Sequence, residues 1–304
     1  VYPIAANTTL IAGATGFVGG RLAAALAEAG EPARCLVRDR SRAADLEAAG
    51  HELQVGDVTD APSLEGAGQG IDVAYYLVHA MGGGTGFAER ERLAAGNFAR
   101  MARVEGVERV VYLGGLGDES VSEHLRSRHE TARVLADEGP PLTYFRAAMV
   151  VGAGSESYRI LRYLVGRLPV MVAPSWLRTP TQPIGIDAVV EYLRRAPAVP
   201  ESRGREVQIG GPDVLSYADM LDRMAIAMGK SPRPKLAVPL ITPWLSSLWL
   251  GLVTPVDTNV ARPLVEGLTT PTVVTDSSGA EPFGIVPEPF DAALRRALRE
   301  EEGG

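Results

Sequence analysis

The sequence predicts a doubly wound α/β fold: a parallel sheet covered by helices on both faces, extended by a smaller C-terminal substrate-facing region. Three observations predict it. An apolar run, Thr8-Thr-Leu-Ile-Ala-Gly13, passes through glycines directly into residues at helical spacing. Short runs rich in strand formers then alternate with helical stretches through the first half of the chain, and parallel strands need such crossovers to return to the same edge. Finally, 304 residues with 46% hydrophobic and 22% charged side chains are ordinary globular values, sufficient for one large domain or two unequal ones.

The elements follow in order. The first strand, Thr8 to Gly13, precedes a helix from Phe17 to Ala29. Ala33 to Val37 is a strand, Ser41 to Ala49 a helix, and Glu52 to Val55 a strand. A strand at Asp72 to Val78 leads to a long helix from Phe87 to Glu105. Arg109 to Leu113, Ser122 to Asp137 and Leu142 to Phe145 repeat the strand–helix–strand pattern. Residues 1–150 are therefore read as a dinucleotide-binding region and 151–304 as a substrate-facing region packed on it. In the second part Pro169, Pro174, Pro180, Pro183, Pro197 and Pro200 interrupt the rhythm. Helices still read at Ser157 to Gly166, Asp187 to Arg195, Ser216 to Met228 and Pro289 to Glu301, with a strand at Glu206 to Ile209.

Charge and cysteine content narrow the function. With 30 basic and 37 acidic residues the net charge is −7, so there is no global basic field for nucleic acid or an anionic membrane. A bound anion must be held locally. One cysteine, Cys35, gives no internal disulfide and fits a reducing, cytoplasmic setting; placed in the second strand, it reads as a small core residue. Four histidines and that one cysteine argue against a metal cluster. The charge-free run from Leu236 to Val256 is long enough to span a bilayer, but Pro239, Pro243 and Pro255 make it a poor spanning helix. An apolar helix covering a pocket is the favoured reading, with a weak membrane-surface contact as the alternative.

Gly13-Ala-Thr-Gly16-Phe-Val-Gly19 lies between the first strand and first helix. Glycines there permit a sharp turn and let a pyrophosphate approach the free N–H groups at the helix N-terminus. Strand, glycines, helix and continuing βαβ units together indicate a Rossmann dinucleotide site, with Gly13, Thr15, Gly16, Phe17, Val18 and Gly19 as its first contacts. At the end of the second strand, an NAD site would place a carboxylate for the ribose 2′-OH. Here the chain reads Leu36-Val-Arg38-Asp-Arg40. Arg38, with Arg40 or Arg42 nearby, suits the 2′-phosphate of NADP, whereas Asp39 is the one feature that fits NAD.

The stretch Leu10 to Gly19 resembles the extended and atypical short-chain dehydrogenases/reductases. Gly56-Asp57-Val58 is similar to their adenine-contacting segment, and Gln182-Pro-Ile-Gly-Ile-Asp187 with Ile209-Gly-Gly-Pro-Asp213 to landmarks of the NmrA-like branch. The resemblance covers nearly the whole chain. It implies a nicotinamide cofactor, contacts from Asp57 and Val58, and a small-molecule substrate beside the nicotinamide; helix pairing into an oligomer would follow by fold analogy. Leu77 and His79, at the end of the fourth strand where doubly wound folds open towards the cofactor, are expected contacts by position, with a hydrogen-bonded structural histidine as the alternative for His79.

The resemblance fails where the family places its chemistry. Most members use a tyrosine four residues before a lysine, but the only lysines here, Lys230 and Lys235, follow Ile226 and Ser231 at that spacing. Gly114-Gly-Leu-Gly117 offers no hydroxyl where the family's serine stands after the fifth strand. The next helix carries His124 and Arg128, four apart and on one face. Arg128 can supply the lysine's fixed charge, and His124 a ring that protonates or orients the substrate. A helix N-terminus and a guanidinium disfavour imidazolium, so the alternatives of a neutral hydrogen-bond donor and an exposed first-turn histidine stay open. Tyr158 with Arg162 and Tyr163 with Arg167 read as packing and surface. Met81 begins a glycine-rich loop read as a closing segment; Met149, Trp176 and Trp244 are expected at an apolar substrate wall. The expected activity is NADP-dependent reduction of an apolar carbonyl, enone or quinone-like molecule. The alternatives are an NADP-binding redox sensor and an epimerase or isomerase retaining its cofactor.

Overall fold

The computed structural model describes residues 8–78, 86–117, 123–237 and 268–303. Strands β1 (Thr9–Ala12), β2 (Arg34–Val37), β3 (Glu52–Val55), β4 (Val73–Tyr76), β5 (Arg109–Gly115) and β6 (Leu142–Ala147) alternate with helices α1 (Phe17–Glu28), α2 (Ala44–Ala48), α3 (Phe87–Val104) and α4 (Glu123–Glu138). Beyond them come β7 (Val150–Val151), α5 (Glu156–Arg167), β8 (Met171–Ala173), β9 (Pro180–Thr181), β10 (Ile184–Gly185) and α6 (Ile186–Arg195). The described chain finishes with β11 (Glu206–Ile209), β12 (Leu215–Ser216), α7 (Tyr217–Ala227), β13 (Lys235–Ala237) and α8 (Phe290–Gly303).

Seven strands form one sheet in the order β3-β2-β1-β4-β5-β6-β11, with every neighbouring pair parallel. This is the doubly wound Rossmann architecture the alternation predicts. Successive strand side chains enter opposite layers. Ile11, Val111 and Phe145 pack beneath α1 and α6, while Leu10, Tyr112 and Leu135 belong to the layer under α3 and α4. A third core joins α5, α7 and α8 through Tyr158, Leu161, Met220 and Leu294. The sheet does not stop at residue 150: α6 packs on α1, and β11 extends the edge at β6.

Three elements differ locally from the sequence expectation. In place of one helix at Ser41 to Ala49, a 3₁₀ turn at Arg40–Ala43 precedes the short α2. Asp39 accepts from the Ser41 backbone N–H at 2.9 Å and its hydroxyl at 2.7 Å, which tightens the turn. β5 and β6 also run further, pairing through Gly115 and Ala147. Arg146 secures that extension by donating to the carbonyls of Gly115 at 3.2 Å and Gly117 at 2.6 Å. The two- and three-residue pairs β7/β10, β8/β13 and β9/β12 have no periodic sequence signal.

Candidate active site

The carboxyl ends of the parallel strands open into one continuous cavity of about 940 Å³. Its first wall is the glycine turn. Gly13 has φ +91°, and a Cβ there would lie 2.6 Å from the Leu77 carbonyl carbon, so neither the conformation nor the space admits a side chain. The Gly16 N–H closes the turn on the Gly13 carbonyl at 2.9 Å. α1 then starts at Phe17 with no side-chain cap, leaving its first N–H groups for an anion at the positive end of the helix. Gly19 does not line the cavity. Its Cβ position lies 2.2 Å from the Gly13 carbonyl oxygen, which makes it the residue that lets α1 approach β1.

Charge is arranged further along this arm. Arg38 lines the cavity from the end of β2, while Asp39 is committed to capping its own turn and Arg40 is ion-paired with Glu47. The Asp57 carboxylate accepts from Thr59 N–H and hydroxyl, each at 2.8 Å. The backbone bond, with Arg38 as a lesser influence, holds that carboxyl below the usual range. Val58 is buried, and its carbonyl accepts from Asn97 at 3.0 Å, tying the 57–59 turn to α3.

At the centre, Arg128 donates from Nη1 to the Leu113 carbonyl at 3.1 Å and to the Tyr112 hydroxyl at 3.5 Å. Its buried Nε has no partner among the described residues. The guanidinium is thus pinned to the end of β5 while lining the cavity. Tyr76, Tyr112 and Tyr144 stand in register on three adjacent strands, with ring centroids 6.1 and 5.3 Å apart. Burial pushes all three phenols up, so they stay protonated. A Cβ on Gly114 would meet Tyr144 Cε2 at 2.7 Å and Oη at 2.8 Å. The tyrosine ring fills the space a serine there would need.

Past Arg128 the wall turns apolar: Met149, Ile160, Leu161, Met171, Trp176 and Leu221 line this arm. The structure therefore brings together Gly13, Thr15, Gly16, Phe17, Val18, Arg38, Asp57, Val58, Leu77, Arg128, Met149 and Trp176 on one cavity. His124 lies in the first turn of α4, with its side chain outside the described part. His79, Met81 and Trp244 lie outside the described residues, as do residues 238–256. Sequence reasoning missed Tyr76, Glu91, Ile160, Leu161, Tyr217 and Thr272, all of which line the cavity. Glu91, in the second turn of α3, accepts from Ser127 on α4, a pairing between helices that no local pattern signals.

The remaining sequence candidates are structural. Tyr158 is buried and donates to Glu301 at 3.1 Å, Arg162 pairs with Glu301 at 2.8 Å, and Arg167 lies 4.7 Å from the Tyr163 ring centre. Burial pushes the Cys35 thiol up to about 12, leaving it a core residue. Among the described residues no cluster of three or more His, Cys, Asp or Glu can hold a metal, and no helix is long and apolar enough to cross a membrane.

Residues 13–162 match the NAD(P)H-binding family, and the cavity's glycine turn, open helix N-terminus and orphaned Arg128 Nε fit such a cofactor. Residues 13–162 are thus an NAD(P)H-binding region, set on a Rossmann-type parallel sheet. The match covers the glycine turn, strands β2 to β7 and the start of α5, the same part of the chain that carries most of the motifs resembling the short-chain dehydrogenases/reductases. Sterol demethylase protein B of Methylococcus capsulatus is 34% identical over 116 residues, a match spanning only 36% of this chain and 35% of that protein. The fold is shared with the Citrobacter sp. triphenylmethane reductase complexed with NADP(H), at 15% identity and TM-score 0.74 over 96% of this chain and 100% of that one. It is shared equally with the Escherichia coli NADPH-dependent quinone oxidoreductase complexed with NADPH, at 17% identity and TM-score 0.75 over 96% and 100% of the two chains.

Proposed function

We propose that this chain is an NADPH-dependent reductase of an uncharged, apolar carbonyl, enone or quinone-like compound. One observation carries the reading: a single cavity runs from a tight glycine turn at an uncapped helix start, past the pinned Arg128, into an apolar arm. The names of two fold relatives, a triphenylmethane reductase and a quinone oxidoreductase, and of the partial relative, a sterol demethylase protein, agree with a large apolar substrate.

NADPH is preferred to NADH because Asp39 and Arg40 are both engaged elsewhere, leaving Arg38 to meet a 2′-phosphate. When bound, the cofactor supplies hydride. The Gly13–Val18 turn would hold its pyrophosphate, Asp57 and Val58 would border its adenine end, and Arg128 would offer fixed donors at the ribose end. Carbonyl reduction also needs a proton at oxygen, and His124, one turn before Arg128 on α4, is the proposed donor. His124→Ala should lower kcat about 10²-fold with NADPH affinity unchanged. A loss confined to KM would make the ring a substrate-orienting group.

Steady-state NADPH oxidation over a panel of enones, quinones and ketones tests the activity. A second reading, a redox sensor that binds NADPH without turnover, is favoured by the blocked serine position at Gly114. Tight NADPH binding with no turnover across the panel would establish it in place of the reductase.

A further inference from the structure

The cavity's charges are divided unevenly. Among the described residues, its cationic lining is Arg38, Arg90 and Arg128, carried by the end of β2, by α3 and by α4. No described residue from β6 onward contributes a cation to the lining, and the one carboxylate there, Glu156, is paired with Arg159 at 2.9 Å. Against the described lining, a diphosphate or carboxylate in the substrate arm would be desolvated without a counter-charge. That disfavours a sugar nucleotide and with it the epimerase alternative.

Apart from Ser155, Glu156 and Ser157 at the start of α5, the polar side chains described on this wall form one cluster. Tyr217 and Thr272 both line the cavity and both are buried, each 8% exposed, while Thr181 behind them is fully buried. The Tyr217 hydroxyl hydrogen-bonds both threonine hydroxyls, and Thr272 donates to Thr181 at 2.7 Å. The cluster is built from three separate segments. β9 carries Thr181, α7 begins at Tyr217, and the 272 segment is held by Thr272 N–H to the Pro180 carbonyl at 3.1 Å and Gln182 N–H to the Thr272 carbonyl at 2.9 Å. Trp176 packs edge-on against the Tyr217 ring at 6.1 Å, fixing it at the wall.

Three hydroxyls carry three protons and six lone pairs. Closing on one another uses the protons and leaves lone pairs over. A ligand hydroxyl can be accepted directly, and a ligand carbonyl can take the Tyr217 proton when that bond turns outward. Burial pushes the Tyr217 phenol up to about 12, so it remains a donor through the neutral range. Such a cluster can satisfy a neutral oxygen fully but supplies an anion with hydrogen bonds and no counter-charge.

We infer that the Tyr217–Thr181–Thr272 cluster is the specificity element of the substrate arm, selecting an uncharged molecule with a hydrocarbon body and one ketone or hydroxyl oxygen. The inference rests on the reading of this arm as the substrate site, but its test does not need turnover. Calorimetry on the full chain saturated with NADP⁺ compares α-tetralone with tetralin, a carboxylate-bearing tetralone and UDP-glucose. α-Tetralone should bind about tenfold more tightly than tetralin, and at least as far ahead of both anions. Tyr217→Phe and Thr272→Val should each bring the tetralone-to-tetralin ratio towards one while leaving tetralin affinity alone, and Thr272→Ser should restore it. A merely structural role would move thermal stability without moving that ratio. If the tyrosine variant does not fold, the Thr272→Val and Thr272→Ser pair gives the same reading. A ratio unchanged in the variants, tighter binding of either anion, or no binding of any neutral member would overturn the inference. Absence of NADPH oxidation alongside the expected ratios would defeat the reductase reading and leave this one standing.

Discussion

The two arms of the cavity are built in different ways. The cofactor arm is assembled from consecutive βαβ units, and its decisive contacts are backbone: the Gly13 turn against Leu77 and the uncapped start of α1. The substrate arm draws Met149, Leu161, Trp176, Tyr217 and Thr272 from scattered segments, and its decisive contacts are side chains. Backbone geometry tolerates almost no substitution at a few positions, whereas a packed wall tolerates many at moderate cost. The arms should therefore respond differently to mutation.

The largest expected contrast is between Gly19→Val and Leu161→Ala. A side chain at 19 drives into the Gly13 carbonyl, so Gly19→Val should lose about 3 kcal/mol or more in urea unfolding and abolish NADPH binding. Leu161→Ala removes a buried core side chain at about 2 kcal/mol, with NADPH affinity preserved. Equal loss of cofactor binding in both variants would erase the distinction between the arms.

Arg128 sits where the arms meet. Arg128→Ala should weaken NADPH binding about tenfold or more and lower kcat/KM with it, since one guanidinium serves both sides. An effect on turnover alone would assign it to the substrate arm. Arg38 belongs to the cofactor arm only. Arg38→Ala should reduce the NADPH-over-NADH preference by about tenfold without changing NADH affinity, as read by calorimetry.

The smallest expected effect is on acid stability. The Asp57 carboxyl is held low in the folded chain by its hydrogen bond from the Thr59 backbone and by the bond from that residue's hydroxyl. Its stabilising contribution is therefore complete above the ordinary carboxylate range, about pH 4, and is lost as pH falls through the lower folded value. Urea unfolding between about pH 7 and about pH 3 should show a shallower acid-side fall in Asp57→Asn than in the unmodified chain. Identical slopes would mean that the Asp57–Thr59 turn persists in the unfolded chain.

The same division governs how much could be read in advance. The six strands of the first half and the glycine turn are local patterns, so Thr8 to Gly13 and Asp72 to Val78 were legible within a residue or two of β1 and β4. The place of Arg38 on the cavity was legible because strand ends in this fold open towards it. The fate of Asp39 was not, because its carboxylate could serve a ribose or its own turn, and only the folded loop shows it bonded to Ser41. The absence of a serine at Gly114 was visible, but its cause, the Tyr144 ring from the neighbouring strand, was not.

By itself the sequence determined the sheet, the crossover helices, the dinucleotide turn and the cationic end of the cavity, because period, glycine placement and charge act over a few residues. The tertiary structure alone decided that Arg128 is pinned to Leu113, and that Tyr217, Thr181 and Thr272 share one hydroxyl cluster. It also placed α6 and β11 in the first half's sheet and helix layer. These contacts join residues dozens of positions apart. Their partners are chosen by the shape left between packed elements, and no local pattern in the chain encodes that shape.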